Sequence, residues 1–134
     1  MNNKEAIKII KDNAESCNNS YLYFMHEQSQ FDENAFWELY NAIRYLGFEF
    51  EEEETLPRKL TLTIVKAYEW HLLLVGFHFD KSDGIHIAHL PQNYSQYGLR
   101  LRLAIQAFLS VSAISNELEN SLNDDLDNKF KIVH

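Results

Sequence analysis

Cysteine, proline, glycine and positive charge are all scarce in this chain, and each shortage closes off a class of protein. A single cysteine, Cys17, in 134 residues leaves no intramolecular disulfide and no cysteine-rich metal cluster. Twelve Lys+Arg against 20 Asp+Glu give a formal net charge of −8. That sign is wrong for a non-specific nucleic-acid or anionic-membrane binder, both of which need clustered cations. The four glycines, Gly47, Gly76, Gly84 and Gly98, are too dispersed to cradle a phosphate. Long apolar runs are missing too. The N-terminal MNNKEAIKIIKDNAES reaches only Ile9–Ile10, so no secretory leader is expected. The most apolar segment, WHLLLVGFHF at Trp70 to Phe79, has about half of the ~20 residues a membrane span needs and reads as core. A cytoplasmic protein in a reducing compartment is the expectation.

What is present is a core. Hydrophobic residues make up 46% of the chain and aromatics 13%, enough for one domain over 1–134 and too much for a disordered tail. Scarce Gly and Pro, with apolar residues recurring every three or four positions, predict a mainly α fold of about four helices with a possible short strand. The first helix is expected from about Asn3 to Ser16, with Ile7, Ile10, Ala14 and Cys17 as its stripe. Tyr21 to Met25 fits a short strand or a helical turn equally well. A second helix follows the Asp32 N-cap, buries Phe36, Leu39, Tyr40, Ile43 and Leu46, and should stop at Gly47. Phe48 to Phe50 alternates as a short strand would.

The third helix should enter at Thr55 and Pro57 and run from about Arg58 to Gly76 or slightly beyond. Leu60, Ile64, Ala67, Tyr68, His71, Leu72 and Val75 trace its buried stripe. A fourth, from near Ser95 to about Asn120, presents Leu101, Ile105, Phe108, Leu109 and Ser112 on one face. It is apolar nearly all round and is expected to be the central element. The tail from Ser121 is acidic, then apolar, and is expected to dock as an extended segment.

Catalytic chemistry finds little support. His78, His86 and His89, with Asp80 and Asp83 nearby, offer the donors of a first-row metal site. Their H-x-x-H spacing in a loop is not the i, i+4 pair of a helix-borne site, so no metal and no cofactor is expected. His71 reads as a buried histidine held by a hydrogen bond. Cys17 reads as a small core residue, because an activated thiolate needs a positive field around it. Arg100 and Arg102 in GLRLRL read as salt-bridged helix surface.

The acids are the most distinctive feature. Glu49 with Glu51, Glu52, Glu53 and Glu54 supply five of the 20, and Glu117, Glu119, Asp124, Asp125 and Asp127 five more. Ten of the 18 aromatics lie between Tyr21 and Phe50, interleaved with acids. Such a surface either keeps a protein in solution or steers a basic partner onto aromatic anchors, for which Trp37, Tyr40 and Phe50 are the candidates.

A small, acidic, aromatic-rich single domain without a catalytic motif resembles the immunity proteins of bacterial polymorphic toxin systems, of the contact-dependent inhibition type. The stretch DENAFWELYNAIRYLGFEF carries the likeness to a small bacterial family tied to toxin–immunity loci. The resemblance implies a non-enzymatic inhibitor that occludes a basic toxin domain, with no particular fold attached. Two other classes stay open: a small metal-dependent enzyme built on His78, His86 and His89, and a homo-oligomer that buries its apolar surplus between copies.

Overall fold

A computed structural model describes residues 1–110 and contains five helices: α1 (Asn3–Ala14), α2 (Tyr21–Glu27), α3 (Glu33–Glu49), α4 (Arg58–Phe79) and α5 (Tyr94–Leu109). Among the described residues there is no strand, only an isolated bridge between Gln30 and Ala88. The fold is mainly α.

The first three helices begin where a side chain can satisfy their free N–H groups, whereas α4 and α5 start at Pro57 and Asn93 without a side-chain cap. Asn2 and Glu5 close a reciprocal capping box on α1, the Ser20 hydroxyl accepts from Tyr23 N, and the Asp32 carboxylate accepts from Ala35 N. Left-handed backbone at Ser16, Asn18 and Asn19 reverses the chain after α1. Residues 21–25 are thereby helical, with Tyr21, Leu22 and Met25 all buried.

Packing runs α4–α1–α3–α5, with α2 lying against α1, α3 and α4 and with α4 and α5 meeting at the closing edge. The central positions therefore belong to α1 and α3, and α5 sits to one side. Although α5 buries Leu101, Ile105 and Phe108 as expected, Leu109 is half exposed. The helix closes there, with Ser110 as its C-cap, short of the expected end. The remainder of that expectation, and the docked tail, lie outside the described residues.

One predicted face is rotated and another is altered at a single position. In α1 the buried positions are Ala6, Ile10 and Asn13, while Ile7 is exposed. A helix wedged between two others favours the small side chain at the closest approach, and Ala6 outcompetes the larger Ile7 for that place. In α4 the predicted stripe holds at Leu60, Ile64, Ala67, His71 and Val75, but Leu72 is exposed and Leu74 is buried, and Leu73, Gly76 and Phe79 also face outward.

The predicted stop at Gly47 and strand at Phe48 to Phe50 are both overturned, since α3 continues to Glu49. Glycine inside a helix costs about 1 kcal/mol. Packing offsets it here: within α3 the Arg44 guanidinium lies 4.9 Å over the Phe48 ring, and Phe50 packs edgewise on Phe108 of α5 at 6.1 Å. A Cβ at Gly47 would lie 3.7 Å from the Phe108 backbone, so α3 and α5 approach closely at this residue.

Two buried polar side chains tie the elements together. Asn13 donates to Ile9 O and accepts from Leu22 N, both at 2.9 Å, joining α1 to the first turn of α2. His71 of α4 lies fully inside, with its Nδ1 3.1 Å from the Tyr21 hydroxyl. Burial pulls the His71 imidazole down to about 4, which keeps the ring neutral and able to accept from Tyr21.

Asn13→Ala should lower unfolding free energy by about 2 kcal/mol in denaturant titration, because it strands a buried N–H at the start of α2. His71 sets a pH dependence. Its folded pKa lies below that of the unfolded chain, which takes up the proton first as pH falls. The contribution is complete above about pH 6.5 and is lost towards about pH 4, a change of about 3 kcal/mol. His71→Gln should flatten that part of the stability profile.

Candidate functional site

The connection between α3 and α4 concentrates the unpaired charge. Glu51, Glu52, Glu53 and Glu54 are all exposed on it, and among the described residues none forms an ion pair. The turn is closed by backbone bonds from Glu51 N to Phe48 O and from Glu53 N to Phe50 O, which leave the four carboxylates pointing to solvent. Beside it, Glu54 and Leu56 border an open depression of about 530 Å³ floored by Leu62 and Val65 of α4. Acid and apolar surface do meet, but the apolar part comes from Leu56 and α4 and not from the predicted aromatics.

The aromatic residues expected as anchors are placed otherwise. Tyr40 is 1% exposed and offers nothing to a partner. Trp37 and Phe50 are half-buried and packed against the core. All three lie on or just after α3, whose inner face they help to build. Tyr40 and Trp37 enclose Arg100, which is also 1% exposed. Its guanidinium donates to the Tyr40 hydroxyl at 3.2 Å and lies 5.2 Å from the Trp37 ring centroid and 5.5 Å from that of Tyr40. Arg100 is thus an interior residue, which corrects its reading as surface. Arg102, two positions on, is the exposed member of the pair. The neighbouring Tyr97 hydroxyl donates to Glu33 at 3.0 Å, linking α5 to the first turn of α3.

The three histidines do share a small concavity of about 290 Å³, with Phe79, Pro91 and Tyr94. His78 and His86 lie 5.1 Å apart by ring centroid, but His78 Nδ1 is taken by the Ile87 N–H at 2.9 Å. Burial, and then the proximity of His86, hold the His78 imidazole below its usual range. Among the described residues no three His, Cys, Asp or Glu side chains are arranged to hold a metal ion. Cys17 is half-buried at the α1–α2 turn, its Sγ 3.8 Å from Asp12. Burial and the Asp12 carboxylate push its thiol up, away from nucleophilic reactivity. Asp124, Asp125 and Asp127 lie outside the described residues.

Comparison of the chain with family models, curated proteins and solved structures finds no match. The class of protein is therefore set by its architecture alone: a mainly α domain carrying an acidic loop.

The two arginines of GLRLRL should separate sharply. Arg100→Ala removes a long stem and a buried cation from between two aromatic rings, and is expected to cost about 3 kcal/mol with a shift in tryptophan emission. Arg102→Ala should stay within about 0.5 kcal/mol of the parent. Thermal or chemical unfolding of the two variants measures both.

Proposed function

We propose that the protein is a non-enzymatic binding protein, acting in the cytoplasm as an immunity-type inhibitor that occludes the active surface of a basic toxin domain. The observation that carries this reading is the α3–α4 loop, where four consecutive carboxylates are exposed and have no ion-pair partner among the described residues. Carboxylates held together in this way repel one another. A Lys- or Arg-lined groove relieves that repulsion as it docks, and the resulting attraction acts over a Debye length, about 8 Å at physiological salt. Inhibition by occlusion needs only this complementarity and a rigid support, which α3 and α4 supply on either side of the loop. The resemblance to immunity proteins gives the partner its class. The apolar contribution to docking is assigned to Leu56 at the loop's edge, with Phe50 as the nearest aromatic.

Reversing Glu52, Glu53 and Glu54 to lysine tests the reading once a partner has been captured with the folded protein as bait. Association of the parent should fall steeply as salt rises, and the triple variant should associate at least tenfold more slowly, with little change in dissociation. Folding stability should hardly move, because exposed like charges contribute little to it. An unchanged association rate and salt dependence would reduce the loop to plain surface.

A further inference from the structure

The outer face of α4 is the least expected surface of the molecule. Over 22 residues α4 is apolar and long enough, by length and composition, to cross a membrane, yet only a third of its most apolar window is buried. Leu62 is 57% exposed, and Leu72 and Leu73 are each 50% exposed. The exposed seam reads Lys59, Leu62, Lys66, Glu69, Leu73 and Gly76, a spacing that alternates three and four residues as in a coiled-coil interface.

That seam is self-complementary when run against itself in the opposite direction. Leu62 then meets Leu73, Lys66 meets Glu69, and Lys59 meets Gly76, with every pairing centred on the same point between Ala67 and Tyr68. Lys66 and Glu69 form no ion pair with each other or with another described residue. Nothing lies within 4 Å of the Cβ position at Gly76, so a second backbone can approach there. We infer that α4 is a self-association surface whose occupant is a second copy of this chain, with the two α4 helices packed antiparallel about a twofold axis.

Charge selects this occupant over the alternatives. A lipid bilayer would bury Lys66 and Glu69 without partners, at a cost of a few kcal/mol each. A parallel copy would set Lys66 against Lys66. Only the antiparallel copy pairs both charges twice and both leucines twice, and the paired charges fix the register. Leu62 borders both this seam and the depression beside the acidic loop, but the partner reading rests on the loop carboxylates and this one on Lys66 and Glu69, so the two fail separately.

Sedimentation equilibrium of the full chain tests the inference, with circular dichroism to show that each variant is folded. The parent is expected to dimerise at micromolar concentration. Lys66→Glu and Glu69→Lys should each raise the dimer Kd at least tenfold, about 1.4 kcal/mol, and Leu73→Asp should abolish the dimer. The double variant K66E/E69K, which exchanges the charges, should restore the parent's affinity. A parent that stays monomeric at hundreds of micromolar overturns the proposal, as does a dimer indifferent to Lys66→Glu or a charge exchange that fails to restore it. Co-flotation of a monomeric parent with phosphatidylcholine vesicles would assign the face to lipid instead.

Discussion

Tyr21 is where the fold is fixed. Its ring is fully buried, packed edgewise against Phe31 at 5.7 Å and Phe36 at 5.3 Å, while its hydroxyl reaches His71 on α4. One side chain thus holds α2, the segment entering α3, and the middle of α4 in register. A seven-residue helix such as α2 has no stability of its own, because nucleation costs more than so few hydrogen bonds return. It exists because Tyr21, Leu22 and Met25 are buried and because Asn13 accepts the N–H of Leu22. The left-handed turn at Ser16, Asn18 and Asn19 delivers the chain to that position. Asparagine tolerates such backbone better than most residues, which gives the Asn18-Asn19 pair its use.

From Tyr21 the aromatic packing continues through Phe36 to Tyr97, Trp37 and Tyr40, and ends on the guanidinium of Arg100. Two of the four arginines, Arg44 and Arg100, lie in the interior against aromatic faces. Arginine suits this placement because its planar, weakly hydrated cation stacks on rings while keeping its hydrogen bonds. The consequence is a segregation of charge. These two cations are drawn into the α3–α5 core while the carboxylates of the α3–α4 loop stay in water, with Arg58 and Lys59 exposed just beyond them.

Much of this architecture could be read from the sequence, and the failures share a cause. The Asp32 cap, the Phe36–Leu39–Tyr40–Ile43–Leu46 face, the span of α4 and the buried His71 all follow from short-range rules that tertiary packing reinforces. Gly47 and the strand at Phe48 to Phe50 misled because a glycine followed by alternating aromatics obeys a local rule, whereas Phe48 is held in the helix under Arg44 and Phe50, at the C-cap, packs on Phe108. No window of sequence contains that last contact. Arg100 and Tyr40 misled for the same reason. Charge and aromatic size signal surface and interface on average, and only the partner helix shows that each satisfies the other inside. Of the candidate site, the acid run was plain from composition. Its apolar neighbour was not, because Leu62 and Val65 are distant in sequence from the predicted anchors.

The exposed face of α4 shows why apolarity and burial need separate treatment. A helix of 22 residues with few charges satisfies the compositional test for a core or a membrane element equally well. The position of the few charges discriminates between them. Lys66 and Glu69 fall on the outward seam, while the polar group on the inward face, His71, is neutral and hydrogen-bonded. A lipid face has no use for two opposite charges at its centre, and a purely solvated face has no use for Leu62, Leu72 and Leu73. A surface that carries both, in an order whose leucines and charges are complementary to their own reverse, has the pattern of an isologous interface. Such an interface would set the two acidic loops at opposite ends of the paired helices. The Arg58 residues that follow them would lie about 28 Å apart at the 1.5 Å rise of an α-helix. Two carboxylate clusters held at that distance would act on basic partners as independent sites, since the separation is several Debye lengths. Dimerisation would then duplicate the acidic loop, covering only the Leu62 side of the depression beside it, and the exposed carboxylates of each loop would keep their own partner.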